Sequence, residues 1–174
     1  MILKDQVLLD YIDVYHILEM QRCLNNAQLA DTYPVVLPYT MEDASLYVEQ
    51  EIQGRAAGDR YAFAIMAHQT FVGICALYDV NRENNRAGLY YWVAVPFWNK
   101  GLATQAISGL INLAKAELGI TTFMSGVLER NYASRRVLEK NGFLLEKSLI
   151  NEEEYHERFL GEVFFEMVLL GGKS

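Results

Sequence analysis

The most informative stretch of the sequence is Tyr90-Tyr91-Trp92-Val93-Ala94-Val95-Pro96-Phe97-Trp98-Asn99-Lys100-Gly101-Leu102-Ala103-Thr104, which changes from a strand pattern to a helix pattern across one tight turn. Aromatic and β-branched residues dominate its first half, and apolar residues recur at helical spacing after Gly101. A helix N-terminus exposes unpaired amides and a positive dipole end, and small residues there let an anion approach the backbone. The turn therefore predicts a phosphate-binding site. Neither GxxxxGK[ST] nor GxGxxG occurs in this stretch, which disfavours a P-loop or a Rossmann dinucleotide site.

Outward from this turn, the segments predict helices and strands that interleave around one sheet. Helical spacing predicts a helix near Val14–Leu24 and a second helix that begins at Thr40, with Asp43 completing a capping box, and ends at Gly54. The helix after Gly101 is expected to stop at Gly119, and a short helix over Asn131–Lys140 is expected to stop at Gly142. Strands are predicted at Gln6–Asp10, Tyr61–Ala67, Phe71–Asp79, Arg86–Val95, Thr121–Val127, Phe143–Leu149 and Glu162–Leu170. This order predicts an α+β fold with one mostly antiparallel sheet flanked by helices.

Composition limits the class of protein. The chain has 174 residues, 52% of them apolar, and a formal net charge of −7, which predicts one globular domain over residues 1–174. The acidic balance disfavours nucleic acid as the main partner. No apolar run approaches the roughly 20 residues that span a membrane, and the first ten residues lack a signal-peptide pattern, so we expect an unprocessed cytoplasmic protein. Cys23 and Cys75 lack CxxC spacing and are expected to be reduced.

A second segment, Asn131-Tyr132-Ala133-Ser134-Arg135-Arg136-Val137-Leu138-Glu139-Lys140-Asn141-Gly142-Phe143, is typical by itself of a capped amphipathic helix. Together, the two segments resemble in order and separation the GNAT superfamily of N-acetyltransferases. The loop Trp98–Ala103 resembles the acyl-CoA loop (Q/R)xxGx(G/A), and the second segment resembles the NxxSRRxLEKxGF helix. With Trp98 in place of Gln or Arg, the chain is similar to the ribosomal-protein N-acetyltransferase-like (RimJ/RimL-type) branch, from about Pro38 onward.

The resemblance implies acetyl-CoA as cosubstrate, without a metal. It implies that the pyrophosphate is held by the backbone amides of Trp98, Asn99, Lys100, Gly101, Leu102, Ala103 and Thr104. It also implies that backbone groups of Val93 and Val95 pair with the pantetheine arm, beside a strand splayed from its neighbour. Asn131 and Ser134 match positions that contact pantetheine and approach the sulfur, and their i, i+3 spacing places both on one helix face. Ser134 is the candidate catalytic residue that hydrogen bonds the leaving thiolate.

Two groups common in the family are missing from the sequence. Many branches place a tyrosine acid four residues after the serine position, where this chain has Leu138. Many relatives carry a glutamate base at the position that here is Gly88. The proton acceptor therefore stays open among water, an amine that arrives neutral, and the side chains of Asp79, Glu83, Tyr90, Tyr91 and Glu154.

The remaining ionisable side chains give weaker signals. Arg135, Arg136 and Lys140 form a basic strip that is either solvated or beside the CoA 3′-phosphate. The lone residues His16 and His68 are expected to be structural or solvated. The dipeptide His156-Glu157 starts a zinc-protease motif that position 160, a leucine, does not complete.

The leading hypothesis is an N-acetyltransferase that moves an acetyl group from acetyl-CoA to a primary amine. The acceptor is either a protein N-terminal α-amine, as the branch suggests, or a small cationic amine, which the acidic surface favours. The missing glutamate at Gly88 motivates an alternative, an acyl-CoA-binding module of the same fold without turnover, and a plain interaction domain is a third reading. Homodimers are common in the branch, so a homodimer is also expected as a possible assembly.

Overall fold

A computed structural model of the chain describes residues 2–3, 7–150, 159 and 161–171. The strands within these residues form one sheet in the order β1-β2-β3-β4-β5-β6-β8-β7. Their bounds are β1 Ile2–Leu3, β2 Val7–Tyr11, β3 Tyr61–Ala67, β4 Thr70–Asn81, β5 Arg86–Val93, β6 Thr122–Leu128, β7 Leu144–Ile150 and β8 Val163–Leu169. The helices are α1 Ile17–Leu24, α2 Ala27–Ala30, α3 Met41–Ala57, α4 Leu102–Leu113 and α5 Tyr132–Lys140.

Helices cover both faces of the sheet, and the sheet divides the core into two buried clusters. On one face, Leu89 and Val93 of β5 belong to a buried cluster with Ile107 and Leu110 of α4. On the other face, Trp92 belongs to a second buried cluster with residues of α1 and α3. Successive β5 side chains enter opposite clusters because side chains alternate along a strand. The prediction of an α+β fold with helices flanking a mostly antiparallel sheet is confirmed.

The pairing of β5 with β6 is the exception to the antiparallel pattern, and it is short. The two strands are parallel, and their register covers only Arg86 with Thr122, Ala87 with Phe123 and Gly88 with Met124. Beyond Gly88, β5 stays paired with β4 as far as Val93, while β6 pairs with β8. The two strands therefore separate in the middle of the sheet, and the β5 edge that faces β6 is left open from Leu89 onward.

Several predicted helix signals are confirmed. Thr40 accepts a hydrogen bond from the Asp43 amide, and Asp43 accepts one from the Thr40 amide, as in a capping box. Gly119 and Gly142 adopt left-handed conformations after their helices, with φ of 71° and 88°. The helix after Gly101 reaches Gly119 through one π-helical turn, Ala114–Leu118.

Three predicted element ends were wrong by two residues or more, the first being that of β4, which continues past Asp79 to Asn81. The second helix does not end at Gly54 but continues to Ala57, and Gly58, at φ 85°, ends it. Gly54 is needed there for space, because a Cβ would lie 2.6 Å from the Arg60 side chain that crosses it. Strand β5 ends at Val93, not at Val95, because Pro96 lies inside a 3-10 turn, Val95–Phe97. Across the described residues, we find no helix with both the length and the apolar character needed to cross a membrane.

The capping box of α3 gives a prediction for stability. Thr40→Ala removes the oxygen that accepts the Asp43 amide at 3.1 Å, so we expect the free energy of unfolding to fall by about 1 kcal/mol. Urea denaturation measures the difference. Thr40→Ser keeps the oxygen and serves as the control, and an alanine variant as stable as the serine variant would contradict this role for the cap.

Candidate active site

A cavity of about 1510 Å³ opens where β5 and β6 separate. It passes through the sheet, because Tyr91 and α5 line it on one face and Tyr90 and α3 line it on the other. Ten of the predicted site residues line it, namely Val93, Trp98, Asn99, Lys100, Gly101, Leu102, Ala103, Thr104, Asn131 and Ser134. Val95 does not line it, since it sits in the 3-10 turn with its carbonyl accepting from the Trp98 amide.

The turn before α4 has the geometry of an anion cradle, a name used here for residues 98–104. Asn99 and Gly101 have positive φ values of 61° and 74°, and Gly101 caps α4 without any side-chain hydrogen bond. The amides of the first helical turn are consequently left without intrahelical partners. The position of a Cβ on Gly101 has no heavy atom within 4 Å, so a ligand can reach these amides directly.

Trp98 links the anion cradle to the open strand edge. Its indole Nε1 donates a hydrogen bond to the Val93 carbonyl at 2.6 Å. The Ala94 amide donates to Val72 on β4, so by strand alternation the Val93 amide is directed to the opposite edge, toward the cavity. Of the two backbone groups of Val93, the amide therefore remains available to a ligand, because the carbonyl already accepts the hydrogen bond from Trp98.

Helix α5 places Ser134 against Tyr91 of β5. Asn131 caps the helix by accepting from the Ser134 amide at 3.1 Å, as its sequence position predicted. The Ser134 Oγ and the Tyr91 hydroxyl lie 2.7 Å apart, and either can be the donor. Burial raises the pKa of the Tyr91 hydroxyl to about 12, so this hydroxyl is protonated at neutral pH. The structure therefore gives Ser134 a hydroxyl partner that the sequence pattern did not show.

The structure divides the predicted basic strip of α5. Arg136 and Lys140 line the cavity, and Asn141, the next residue, donates to the Thr104 carbonyl of the anion cradle at 3.3 Å. The Arg135 guanidinium instead lies over the Phe165 ring, 4.7 Å from its centroid, and it is also 3.9 Å from Glu139. Two of the three cations are therefore placed to meet a negatively charged ligand.

On the opposite face of β5, four side chains form a tyrosine–glutamate cluster, consisting of Tyr47, Glu51, Arg60 and Tyr90. Glu51 is 1% exposed, and its Oε1 accepts from Arg60 Nη2 at 2.9 Å and from the Tyr90 hydroxyl at 3.3 Å. The hydroxyls of Tyr47 and Tyr90 are 2.8 Å apart. Burial raises the pKa of both tyrosines well above its usual range. Glu51 was missed at the sequence level, although a carboxylate four residues after Tyr47 interrupts an otherwise apolar helix stripe.

The space beside Gly88, the position where the resemblance implies a glutamate in many relatives, is filled by a tyrosine ring. A Cβ added to Gly88 would lie 2.2 Å from Cζ of Tyr78, which faces it across the β4–β5 pair. The Tyr78 and Tyr90 rings are 5.9 Å apart. A carboxylate side chain at residue 88 would therefore collide with Tyr78, and the missing glutamate matches the way this face is packed.

The candidate proton acceptors separate clearly by location. Asp79, Tyr90 and Tyr91 line the cavity, whereas Glu83 lies exposed in the β4–β5 turn outside it. Glu154 and the dipeptide His156-Glu157 lie outside the described residues. Tyr91 contacts Ser134, and Tyr90 contacts Glu51 on the opposite face.

The histidines and cysteines lie away from this chemistry. His16 is buried and accepts the Asp13 amide at the start of its 3-10 turn, and His68 lies in the β3–β4 turn. Cys23 and Cys75 are free thiols. Within residues 2–3, 7–150, 159 and 161–171, no group of three or more His, Cys, Asp or Glu side chains is arranged to hold a metal ion.

Comparison with known proteins identifies the family. The profile described as the acetyltransferase (GNAT) domain matches residues 6–144, and the chain belongs to this family. It is 24% identical over 117 residues to the uncharacterized N-acetyltransferase p20 of Bacillus licheniformis, a match that covers 67% of this chain and 65% of that relative. Matches to four curated relatives span 40% to 65% of their own lengths.

Solved structures share the fold. The chain is similar to the ribosomal L7/L12 α-N-protein acetyltransferase RimL in complex with coenzyme A, with a TM-score of 0.86, 20% identity and coverage of 97% of this chain and 96% of that one. It is also similar to spermidine N-acetyltransferase from Vibrio cholerae in complex with CoA and spermine, with a TM-score of 0.80, 18% identity and coverage of 95% and 96%. Both resemblances concern the fold, which agrees with the family assignment.

The contact between Gly88 and Tyr78 can be tested by a double-mutant cycle. Gly88→Ala forces a Cβ into the Tyr78 ring, and overpacking of this kind lowers the free energy of unfolding by about 1–3 kcal/mol. In a Tyr78→Ala background the ring is gone, so the same substitution should be close to neutral. Denaturant unfolding of the four proteins gives the coupling energy. Equal destabilisation in both backgrounds would show that another neighbour limits residue 88.

Proposed function

We propose that this protein is an N-acetyltransferase that moves an acetyl group from acetyl-CoA to a primary amine. One observation carries the proposal, the placement of an open anion cradle and the Tyr91–Ser134 hydroxyl pair in one cavity that crosses the sheet. An acyl-CoA needs an anchor for its phosphates, an open backbone edge for its pantetheine arm and a hydrogen-bond donor near its sulfur. The described residues offer all three along the same cavity.

Different residues along the cavity match the successive parts of an acyl-CoA molecule, namely its phosphates, its pantetheine arm and its thioester. The amides of residues 98–104 would hold the pyrophosphate, because the space beside Gly101 is open. Arg136 and Lys140 would face the 3′-phosphate, and the free amide of Val93 would pair with the pantetheine arm. Asn131 would contact the same arm from the start of α5. When bound, acetyl-CoA supplies a thioester carbonyl for amine attack and a thiolate as leaving group.

Ser134 is proposed to hydrogen bond the thiolate as it leaves. Either hydroxyl can donate in the 2.7 Å contact between Tyr91 and Ser134 Oγ, and the arrangement in which Tyr91 donates leaves the proton of Ser134 free to be directed into the cavity. Because Tyr91 stays protonated at neutral pH, it also holds the serine side chain in one orientation. An interaction of this kind strengthens as negative charge develops on sulfur, so it contributes mainly to the transition state.

The acceptor is proposed to be a cationic primary amine. A protein N-terminal α-amine corresponds to RimL, and a polyamine corresponds to the spermidine N-acetyltransferase. The net charge of −7 supports an acceptor that is positively charged. A panel with an Ala-initiated peptide, a Ser-initiated peptide, spermidine and an aminosugar, assayed by release of free CoA thiol, ranks these classes directly.

A second candidate function, an acyl-CoA-binding module without turnover, is favoured by one observation. The Tyr78 ring occupies the space that a glutamate at residue 88 would need. The same panel separates the two functions when the melting temperature is also measured with acetyl-CoA. A binding module is stabilised by acetyl-CoA but releases no thiol with any amine. Measurable thiol release with any amine excludes the module.

Location and assembly are further parts of the proposal. A cytoplasmic location is supported by the free thiols Cys23 and Cys75, because reduced cysteines are typical of that compartment. A homodimer is supported by exposed apolar side chains on the edge strand β7, where Leu144 and Ile150 are 72% and 62% exposed. Sedimentation at micromolar concentration measures the assembly.

The anion cradle predicts a stabilisation by acetyl-CoA that depends on Gly101. At a ligand concentration of 100 Kd, binding should stabilise the wild type by about 2.7 kcal/mol, visible as a higher melting temperature. Gly101→Glu places a negative side chain beside the amides and should abolish the shift. Gly119→Glu is the matched control, because residue 119 has a similar φ of 71° and equally open space but lies at the other end of the helix. A full shift in Gly101→Glu would remove the cradle from CoA binding.

The proposed role of Ser134 predicts a loss of rate without a loss of binding. Ser134→Ala should lower kcat by about 10- to 1000-fold and leave the Kd for CoA nearly unchanged, because the lost hydrogen bond forms mainly in the transition state. Steady-state kinetics and titration calorimetry measure the two quantities. Ser108→Ala, at an exposed position of α4, is the control. A kcat equal to the wild-type value in Ser134→Ala would show that water, and not Ser134, stabilises the leaving thiolate.

A further inference from the structure

The tyrosine–glutamate cluster has no part in the function proposed so far, yet it joins the cavity to a buried carboxylate. We propose that Tyr47, Tyr90 and Glu51 form a proton relay that takes one proton from the ammonium form of the acceptor amine. This inference rests on the proposed acetyl transfer and names the base that the chain lacks at Gly88. Both tyrosines line the cavity, whereas Glu51 lies behind them.

The hydrogen bonds can run in only one direction when Glu51 is ionised. The carboxylate of Glu51 has no proton, so the Tyr90 hydroxyl must donate to its Oε1 at 3.3 Å. A phenol has one proton, so Tyr47 must be the donor to Tyr90 at 2.8 Å. The Tyr47 oxygen is then left as an acceptor on the cavity side. The chain of donors therefore leads from the cavity to Glu51.

The ion pair between Arg60 and Glu51 uses only one of the two carboxylate oxygens. Arg60 donates through both Nε and Nη2 to the same oxygen, Oε1, at 3.1 and 2.9 Å. The other oxygen, Oε2, is buried and has no hydrogen-bond partner. Arginine and carboxylate usually pair through two oxygens, and a buried unpaired oxygen is destabilising. Glu51 thus keeps one buried carboxylate oxygen, Oε2, without a hydrogen bond, while Oε1 faces Tyr90.

The cluster lies on the side of the strand where the missing base is expected. Side chains alternate along a strand, so Gly88 and Tyr90 of β5 point to the same face. The Tyr78 ring fills the space at residue 88, and the carboxylate comes from α3 instead. Gly54 makes this placement possible, because its lack of a side chain lets Arg60 cross α3 to reach Glu51.

The charged and titratable groups that face Glu51 are one arginine and three tyrosines. They are Arg60 after α3, Tyr47 on its own helix, Tyr90 on β5 and Tyr33 from the segment after α2. Burial raises the pKa of each of the three tyrosines above its usual range. The tyrosines therefore remain neutral at physiological pH.

The transfer balances over three bonds. One ammonium N–H bond breaks as an O–H bond forms on Tyr47, whose own proton moves to Tyr90, whose proton in turn moves to Oε1 of Glu51. The products are a neutral amine, two unchanged tyrosines and a protonated Glu51, whose proton returns along the same tyrosine chain to solvent in the cavity once the product has left. After the amine attacks the thioester, its second proton goes to the departing thiolate on the Ser134 side. No other reactant is needed.

The test compares rates across pH with a peptide acceptor whose α-amine has an ordinary pKa of about 8. At pH 6.5, where this amine is charged, Tyr90→Phe should lower kcat/KM by about 100-fold. At pH 9 most of the amine is already neutral, so the loss should shrink to about threefold. Tyr47→Phe and Glu51→Gln should follow the same profile. Tyr61→Phe is the control, because it also removes a buried tyrosine hydroxyl, one that accepts from Arg82 at 2.9 Å, but lies outside the cavity lining.

The outcomes separate the relay from the activity on which it rests. Melting temperature and CoA affinity are measured for every variant, and the phenylalanine variants keep their rings, so loss of fold is recognised separately. A loss that is equal at pH 6.5 and pH 9, or no loss in Tyr90→Phe, overturns the relay while acetyl transfer stands. A wild type that binds CoA but acetylates no amine overturns both. A loss confined to low pH in all three variants, with CoA affinity unchanged, supports the relay.

Discussion

The short parallel pairing of β5 with β6 is the constraint on which the rest of the site depends. Only three residue pairs join the strands before they separate after Gly88 and Met124. In an otherwise continuous sheet, this separation leaves a backbone edge open and produces a cavity that connects the two faces. The anion cradle follows directly from the end of β5, so one break in the pairing places both the anion cradle and the open strand edge on the same cavity.

The alternation of side chains along β5 divides the chemistry between the two faces. Tyr91 points toward α5 and meets Ser134, while its neighbour Tyr90 points toward α3 and meets Glu51. The proposed acetyl transfer takes one proton from the amine and gives another to the thiolate, and the structure places one tyrosine hydroxyl on each face of the sheet. Each tyrosine is neutral at physiological pH because burial raises its pKa.

Local signals in the sequence predicted much of this arrangement. The capping box of Thr40, the left-handed glycines Gly119 and Gly142 and the cradle around Gly101 all depend on residues within a few positions of one another. The prediction that the second helix ends at Gly54 was wrong. A glycine that ends a helix and a glycine that makes room for a neighbouring side chain, here Arg60, look the same in sequence. The order of elements and the α+β class followed from hydrophobic periodicity, which is also a local property.

The sequence by itself determined the elements, the family resemblance and ten residues that line one cavity. The tertiary structure alone decided which groups become partners. Tyr91 and Ser134 are 43 positions apart, and Tyr90 and Glu51 are 39 apart, so no spacing rule within a helix or strand relates them. It also decided that the Tyr78 ring fills the space beside Gly88 and that the buried carboxylate of Glu51, on α3, contacts Tyr90. Such pairs are set by strand register and helix packing, which depend on the whole core.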